Sequence, residues 1–504
     1  MVINMVKKKK QVKIEENTRP PIVVVMGHID HGKTTLLDHI RKTKVTESEA
    51  GGITQHAAAY EIENKGKKIT FIDTPGHEAF TNIRKRGAKI ADIAILVISA
   101  DDKVNEQTIE SLEAIKETKM PFVVAINKID KENANPEKIK KELSEHEVYL
   151  EKMGGKVPCV EISAKTGKGI DELLEMIDLV AELEELKIDP NKNATGFVLE
   201  SHVDPKRGTA ATLIIQNGTL KQGMFVVSEN SIAPVRIFEN FLGNTIKEAG
   251  ASSPVTIVGF NSSPSAGSEF QSFDNKKDAE HMSRTVLDMT TKDGPLLEKE
   301  AEAGVVIPII VKADVAGSVE AFEKQIRKIE TEKVRFNILR ADVGNVNEDD
   351  VKLASSGGGA LVVGFNINCP ANIKILSERM EVTVKLFNII YEAEDWLTDE
   401  VNKRTPIEKV EEVFGKVIVL KIFRDNKNKK IVGGEVKEGK ILNGKNVKIY
   451  RRDFLLGEGQ ITELQKLKVK TEEAKEGEQF GALIQTKVSI EPKDTLEVYE
   501  VVAK

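Results

Sequence analysis

The chain has 504 residues, of which 40% are hydrophobic and 31% charged, and its formal net charge is −6. This length suggests about three or four domains. The net negative charge excludes binding of nucleic acid through overall charge, so any nucleic-acid site would be a local basic patch. Two cysteines are too few for a disulfide framework and predict a cytoplasmic protein. No apolar stretch reaches the roughly 18 residues of a membrane helix, so we expect no membrane partner.

The first 18 residues are rich in lysine, with four consecutive lysines at residues 7–10 and no hydrophobic segment after them. This pattern is not that of a secretory signal. We interpret residues 1–18 as a disordered basic tail, and the alternative is an arm that binds RNA.

A glycine-bounded loop follows the first apolar run of the chain. Residues 22–26 are apolar and mostly β-branched, as in a strand buried on both faces, and helical spacing begins at Leu36. The segment between them matches G-x-x-x-x-G-K-[ST], in which backbone N–H groups and a helix N-terminus hold phosphate. We expect Lys33 to reach the β and γ phosphates and Thr34 to bind Mg²⁺, whereas the alternative is a chance glycine-rich turn. The predicted phosphate-binding residues are Gly27, His28, Ile29, Asp30, His31, Gly32, Lys33, Thr34 and Thr35.

Apolar runs alternate with helical patterns between residues 19 and 183, which predicts a parallel sheet wrapped by helices. Ligands of such sheets bind at the carboxyl ends of the strands, where the remaining motifs also fall. After the run at 22–26, the predicted strands are residues 69–72, 93–98, 122–126 and 160–162.

Three short motifs follow these strands and favour GTP over ATP. Asp73 can hold Mg²⁺ through water, and the amide of Gly76 can meet the γ phosphate and respond to its loss. Asp130 can accept hydrogen bonds from N1–H and the exocyclic amine of guanine, which adenine does not offer in that arrangement. The predicted GTP- and GDP-binding residues of these motifs are Asp73, Thr74, Pro75, Gly76, Asn127, Lys128, Ile129, Asp130, Ser163, Ala164 and Lys165.

A glycine-containing segment between the first predicted helix and residue 69 is a candidate switch. Its glycines predict a mobile loop, and Thr54 can close on Mg²⁺ and the γ phosphate. The alternative is a plain surface loop in which the threonine is incidental. The predicted first switch consists of Gly51, Gly52, Ile53, Thr54, Gln55 and His56.

Residues 19–34, 50–56 and 73–80 resemble bacterial-type translation initiation factor two, a translational GTPase, in a form without a long N-terminal extension. The resemblance is dense over residues 19–183 and thinner towards the C-terminus. It implies that the ribosome swings His77 towards the attacking water, which a positioned imidazole would organise for in-line attack. The alternative is that His77 merely caps the helix that follows it.

The remaining chain alternates between strand-rich and helix-rich stretches, so the expected fold class is multidomain α/β and β. It combines a P-loop GTPase α/β domain, a β-barrel, an α/β/α sandwich and a second β-barrel. Ser318 is a candidate N-cap for a helix of the sandwich. The expected parts are the GTPase domain (19–183), domain II (195–273), a linking helix (274–303), domain III (304–388), a second linking helix (389–404) and domain IV (405–504).

The resemblance implies that domain IV binds the acceptor end of initiator tRNA. The family usually has Gly-Tyr-Glu-Cys-Gly in its amino-acid pocket, where this chain has Gly-Glu-Gln-Phe-Gly at residues 477–481, and its Ala-Gly-Cys stretch appears as Val-Gly-Gly at 432–434. Basic residues of this domain could equally be solvated strand edges. The candidate tRNA contacts are Gln479, Phe480, Arg451 and Lys466.

We therefore predict a monomeric translational GTPase that brings initiator formyl-methionyl-tRNA to the small ribosomal subunit and promotes subunit joining. Its expected partners are both ribosomal subunits and initiator tRNA, and GTP hydrolysis occurs on the ribosome. One alternative is a related ribosomal GTPase of elongation or assembly. The other is an RNA-binding protein that uses GTP as a structural switch without hydrolysing it.

Overall fold

The computed structural model describes residues 18–42, 56–290, 304–331, 333–405, 409–426, 428–467 and 469–503. The chain divides into two compact units, Met1–Arg404 and Thr405–Lys504. Three predictions lie wholly or partly outside the described residues: the basic tail up to residue 17, the switch residues 51–55, and the end of the first linking helix. Among the described helices, none combines the length and apolar character that crossing a membrane requires.

The first part of unit 1 is a mostly parallel sheet with helices on both faces. Its strands are β1 (Ile22–Gly27), β2 (Ala58–Asn64), β3 (Lys67–Asp73), β4 (Ile93–Ser99), β5 (Phe122–Asn127) and β6 (Cys159–Glu161). Its helices are α1 (Lys33–Arg41), α2 (Thr81–Ile90), α3 (Glu106–Thr118), α4 (Pro136–Glu145) and α5 (Ile170–Leu183). The strand order is β2-β3-β1-β4-β5-β6, with β2 antiparallel to β3 and the other neighbours parallel.

The apolar run of β1 is buried on both faces because helices cover both sides of the sheet. Val23 and Val25 belong to the core that the sheet forms with α1 and α5. Val24 and Met26 point to the opposite core, which contains residues of α2, α3 and α4. Every residue of this strand is therefore shielded from water, as its sequence indicates.

The second part of unit 1 is an antiparallel, barrel-like sheet with one helix after it. Its elements are β7 (Thr195–Asp204), β8 (Gly208–Asn217), β9 (Leu220–Lys221), β10 (Phe225–Ser228), β11 (Ser231–Pro234), β12 (Ile237–Asn240), β13 (Glu248–Ala249), β14 (Pro254–Phe260), β15 (Glu269–Phe273) and α6 (Lys276–Thr290). The order is β11-β10-β15-β7-β8-β14-β12, and β13 pairs with β9. Ile232 N donates to Asn261 Oδ1 at 2.7 Å and Asn261 N to Ile232 O at 3.1 Å, so β11 curls back towards the end of β14.

The third part of unit 1 is a three-layer α/β/α structure. Its elements are β16 (Val305–Ala313), α7 (Ala316–Ile329), β17 (Val334–Val343), α8 (Glu348–Ser356), β18 (Leu361–Phe365), α9 (Ala371–Arg379), β19 (Val384–Phe387) and α10 (Ile390–Arg404). The parallel strands run in the order β17-β16-β18-β19. Helices α7 and α10 pack on one face of the sheet, and α8 and α9 pack on the other.

The predicted N-cap role of Ser318 is wrong. Helix α7 begins two residues earlier, at Ala316, and its N-cap residue Val315 makes no capping hydrogen bond through its side chain. The cap comes instead from a distant strand, because Glu200 Oε1 of β7 accepts from Gly317 N at 3.0 Å. Burial raises the pKa of the Glu200 carboxyl to about 7, although the hydrogen bonds from Gly317 N and Ser201 N act in the opposite direction.

Unit 2 is a closed antiparallel β-barrel. Its strands are β20 (Lys409–Asn426), β21 (Lys429–Leu442), β22 (Asn446–Arg451), β23 (Phe454–Lys466), β24 (Val469–Lys470), β25 (Glu473–Lys475), β26 (Gln479–Gln485) and β27 (Thr495–Ala503). The ring runs β20-β27-β22-β23-β26-β21 and closes because β20 also pairs with β21. Closure leaves these strands with two neighbours each and so removes open sheet edges. The predicted fold class is confirmed.

Candidate functional site

Four loops meet at the carboxyl edge of the first sheet, and they follow β1, β3, β5 and β6. Parallel neighbours align these strand ends, since Gly27 lies opposite Val97 and Ser99 opposite Asn127. Apart from the first switch, these loops, the last residues of β1, β3 and β5, and the first turn of α1 carry all the residues that the sequence predicts for nucleotide binding. The parallel sheet therefore places phosphate and base motifs from distant parts of the chain side by side.

Asn127 joins three of these loops through its side-chain amide, which is buried. Its Nδ2 donates to His31 O at 2.8 Å, and its Oδ1 accepts from Lys128 N at 2.8 Å and from Ala164 N at 2.9 Å. Gly32 has a φ of +83°, and a Cβ there would come within 2.5 Å of Asn127 Nδ2. Glycine is thus required both by the left-handed backbone and by the close approach of this amide.

The phosphate loop wraps around the ammonium group of Lys33. Lys33 Nζ donates to Gly27 O at 2.9 Å and to His28 O at 2.8 Å. Burial lowers the pKa of Lys33 to about 8, and the nearby carboxylate of Asp73 acts in the opposite direction. Helix α1 begins at Lys33 after Gly32, which has no side chain to cap the first N–H groups. A buried cation and an uncapped helix N-terminus together suit an anionic ligand.

The loop after β3 lies directly against the phosphate loop. A Cβ at Gly76 would come within 2.6 Å of Lys33 Nζ and 3.0 Å of Ile29 Cα, so a larger residue would push the two loops apart. Thr74 Oγ1 donates to Val25 O at 2.8 Å and ties this loop to β1. The two loops are therefore arranged so that one ligand can contact both.

The hydroxyl of Ser163 positions the carboxylate of Asp130. Ser163 Oγ donates to Asp130 Oδ1 at 2.6 Å, and this hydrogen bond lowers the pKa of Asp130. The carboxylate is exposed to solvent and ionised at neutral pH, so it is a hydrogen-bond acceptor for a ligand with two N–H donors.

The ring of His31, in the phosphate loop, is directed into the fold, where Nδ1 lies 3.2 Å from Val97 O and Nε2 lies 3.3 Å from Asp102 Oδ2.

Arg84 of α2 is a site residue that the sequence analysis missed. Its guanidinium is buried, and Nη1 lies 3.2, 3.1 and 2.6 Å from the carbonyl oxygens of Pro75, Gly76 and His77. Nη2 forms an ion pair with Glu110 of α3. Arg84 thus fixes the backbone of the loop after β3. The available signal was a charged residue four positions after Phe80 and four before Ala88, on the face of α2 that must be buried.

In this structure the His77 side chain caps the short helix that follows it. Nδ1 accepts from Ala79 N at 2.9 Å, and only 2% of the residue is exposed. Burial lowers the pKa of His77 to about 4, although Glu78 acts in the opposite direction. The ring is therefore neutral, and because Nδ1 accepts, its proton is on Nε2. Nε2 is buried and has no hydrogen-bond partner among the described residues.

The oxygen donors of the predicted Mg²⁺ site lie at the same edge. Thr34 stands in the first turn of α1 and Asp73 at the buried end of β3. No group of three or more His, Cys, Asp or Glu side chains is arranged for a metal ion in the part of the chain that the structure describes.

Of the predicted first switch, the structure describes only His56. Its Nε2 lies 3.3 Å from Asp314 Oδ2 and 3.2 Å from Asn366 Nδ2. Both partners follow strands of the third part of unit 1, β16 and β18. The ring therefore faces this part of the chain in the structure rather than the phosphate loop.

Unit 2 contains an open cavity of about 570 Å³ whose lining includes Gln479 and Phe480. Phe480 is buried at its floor, where a Cβ on the opposite residue, Gly434, would come within 2.7 Å of Phe480 Cζ. Phe423 forms part of the wall and is 64% exposed. The other two candidates do not line the cavity: Arg451 pairs with Asp494 and Glu491, and Lys466 pairs with Glu478.

Three family models match this chain. Residues 18–182 match the elongation factor Tu GTP binding domain, and residues 193–273 match elongation factor G domain 2. Residues 288–398 match translation-initiation factor 2. The matches follow one another along unit 1, in the same order as its three parts.

Curated relatives are similar along nearly the whole chain. "Translation initiation factor IF-2" of Anoxybacillus flavithermus is 45% identical over 493 residues, which cover 95% of this chain and 68% of that protein. The factor of the same name from Bacillus subtilis is 44% identical over 492 residues, covering 95% and 69%. Among solved structures, GDP-bound aIF5B from Aeropyrum pernix matches with a TM-score of 0.48 and 27% identity, covering 95% of this chain and 92% of that one. Identity of this extent shows that the protein belongs to the translation initiation factor IF-2 family, and it is therefore a GTPase that binds GTP and GDP and acts with the ribosome in translation initiation.

Proposed function

We propose that this protein acts as a cytoplasmic monomer that brings initiator tRNA to the small ribosomal subunit and promotes subunit joining. The observation that supports the tRNA role is the cavity of unit 2, which is open to solvent and lined mostly by apolar side chains and glycines, with Lys421, Glu463, Gln465 and Gln479 as its polar residues. Its volume of about 570 Å³ lies within the range of small-ligand sites and suits an aminoacyl group. The nucleotide-binding loops of unit 1 act as the switch that determines when the protein leaves the ribosome after GTP hydrolysis.

GTP occupies the carboxyl edge of the first sheet in this proposal. Lys33 and the first N–H groups of α1 bind the β and γ phosphates, exchanging the loop carbonyls for phosphate oxygens. Thr34 would hold Mg²⁺ directly and Asp73 would hold it through water, with Thr54, which lies outside the described residues, as the predicted further ligand; the ion would supply positive charge against the phosphates. Asp130 accepts from the two N–H groups of guanine, and Ser163 keeps the carboxylate in place for this contact.

His77 positions the attacking water once the assembled ribosome releases it from Ala79 N. A neutral imidazole adds no positive charge to the site, so its contribution is geometric: one ring nitrogen donates a hydrogen bond and the other accepts one. Because the two nitrogens point in different directions, one of these bonds can hold the water molecule in line with the bond to be cleaved while the other fixes the ring. Arg84 keeps the loop backbone fixed while the side chain moves.

The formylated methionyl end enters the cavity of unit 2. A formylated amine is neutral, whereas a free α-amine is largely cationic below its pKa of roughly 7.7–8.0. Phe480 and Phe423 carry no charge, and the carboxylate that lines the cavity, Glu463, is already paired with Lys470 at 2.8 Å, so entry of a free amine costs desolvation energy. The side-chain carbonyl of Gln479 can accept the formamide N–H.

Filter binding of formylated, unformylated and deacylated initiator tRNA tests this proposal. We expect the formylated form to bind most tightly and Phe423→Ala to weaken its binding by tenfold or more, because a buried aromatic contact contributes about 1.5–3 kcal/mol. Phe454→Ala is the matched control, since Phe454 is also an exposed phenylalanine of unit 2 but does not line the cavity. Equal losses in the two variants would assign the tRNA end to another surface.

A further inference from the structure

A tyrosine from the last helix of unit 1 covers the ring of His77. Tyr391 lies in the first turn of α10, and its ring centroid is 4.2 Å from that of His77, with the ring planes inclined by 55°. The ring of Phe80 approaches from another direction, with its centroid at 6.0 Å. His77 is 2% exposed, whereas Tyr391 is 44% exposed, so the tyrosine forms the solvent-facing side of this stack.

Neither nitrogen of the His77 ring can meet a water molecule in this arrangement. Nδ1 is occupied by Ala79 N, and Nε2 is buried without a hydrogen-bond partner among the described residues. Because a buried N–H without a partner costs free energy, the stack must compensate for it through ring contacts. The imidazole is therefore held in a conformation in which it can neither donate a hydrogen bond to water nor accept one from it.

Neighbouring contacts from α7 hold the same segment of the chain. Lys328 pairs with Glu78, and Lys324 Nζ donates to Glu78 O at 3.1 Å and to Thr81 Oγ1 at 2.8 Å. These contacts reach the backbone and side chains next to His77, whereas Tyr391 contacts the imidazole itself. The charged groups that act on the ring are Glu78, Arg84, Lys328 and Lys324.

We propose that Tyr391 is a positioning residue that holds His77 in its capping conformation, so that the imidazole becomes available for GTP hydrolysis only after Tyr391 moves away. This inference rests on the proposed role of His77 in positioning water. It assigns to α10 a direct part in suppressing hydrolysis before the ribosome is engaged. The stack is a contact between residues 77 and 391, so any movement of α10 relative to the first sheet changes it.

The test compares Tyr391→Ala with Tyr391→Phe in the full chain, with Tyr149→Ala as the control for loss of an exposed tyrosine. Two quantities are measured: the pKa of His77 by NMR of labelled histidine, and GTP hydrolysis without ribosomes. We expect Tyr391→Ala to raise the pKa of His77 by about one unit or more, since uncovering the ring restores its hydration, and to speed hydrolysis several-fold. Tyr391→Phe keeps the stack and should match the parent in both. Tyr391→Ser provides a second truncation if the alanine variant is poorly folded.

The two readouts separate failure of this inference from failure of the proposed function. A His77 pKa that is the same in the truncated variants as in the parent protein would overturn the covering role of Tyr391, whatever the role of His77. A raised pKa with an unchanged ribosome-free rate would overturn the restraint on hydrolysis. Ribosome-stimulated hydrolysis of His77→Ala tests the proposed function separately, and adding His77→Ala to Tyr391→Ala should abolish the several-fold gain.

Discussion

Replacing Arg84 by methionine tests whether one buried guanidinium fixes the loop after β3. Methionine keeps much of the side-chain length and volume, so the core around α2 remains filled. The change removes the donors to the carbonyl oxygens of Pro75, Gly76 and His77, and it leaves Glu110 without its ion-pair partner. We expect the loop to open far more often while the sheet remains folded.

The expected magnitude follows from burial. Removing one member of a buried ion pair destabilises the folded arrangement by about 3–5 kcal/mol, because the remaining charge is left buried without its partner. The side chain of Glu110 is 30% exposed, so water recovers part of this penalty and the lower end of the range applies. A cost of about 3 kcal/mol corresponds to a roughly 150-fold increase in the equilibrium population of the open loop.

Hydrogen exchange followed by mass spectrometry measures this population directly. Amides in residues 74–80 should exchange about two orders of magnitude faster in Arg84→Met. Lys85→Met is the matched control, because Lys85 lies on the same helix, is exposed, and contacts none of the loop carbonyls. An acceleration below about fivefold, or an equal one in the control, would refute the argument that Arg84 holds the loop.

Asp130→Asn should exchange guanine preference for xanthine, because an amide can donate to the extra carbonyl; unchanged competition between GTP and XTP would show that Asp130 is not the base reader. His77→Ala should leave GTP affinity nearly intact and lower ribosome-stimulated hydrolysis by about a hundredfold or more. Hydrolysis at the parental rate would mean that His77 only caps the helix that follows it. Formyl discrimination by this chain should be weaker than in relatives with glutamate at this position, because Gln479 accepts without charge assistance at a cost of about 1 kcal/mol. If the double variant Gln479→Glu, Phe480→Cys prefers formylated over unformylated initiator tRNA by the same factor as the parent, neither residue contacts the formyl group. The raised pKa of Glu200, about 7, means that protonation favours the folded state, so this group's contribution to stability is full below pH 4.5 and is lost as the pH rises through 7. Thermal unfolding of Glu200→Gln should show a flatter pH dependence over that window, and an unchanged profile would contradict the raised pKa.

Sequence patterns were sufficient where local chemistry decides the structure. The apolar run of β1 predicts a doubly buried strand because helices must cover both faces, and motif spacing then predicts which loops share an edge. The fold class and the assignment to a translation initiation GTPase are confirmed, and nothing in the likenesses favours an elongation or assembly factor or a non-hydrolysing switch. The individual site roles and domain boundaries remain predictions.

Contacts between distant segments were beyond the reach of these patterns. Ser318 looks like a helix cap because serine is a good one, but Glu200 supplies the carboxylate from more than a hundred residues away. Arg84 and Tyr391 carry no motif, and their importance follows only from which backbone or ring they meet in the folded chain. Local charge patterning likewise does not reveal that Arg451 is already paired within the barrel.

The closure of the unit 2 barrel has a practical consequence for engineering. Its first and last strands are hydrogen-bonded neighbours, with Lys409 opposite Ala503 in the antiparallel register. A short glycine–serine bridge could therefore join the two ends of the barrel, and new ends could be opened at an exposed turn such as the one between β22 and β23. A circular permutant of this kind would rotate the cavity to a new position relative to a fused reporter without altering any residue that lines it.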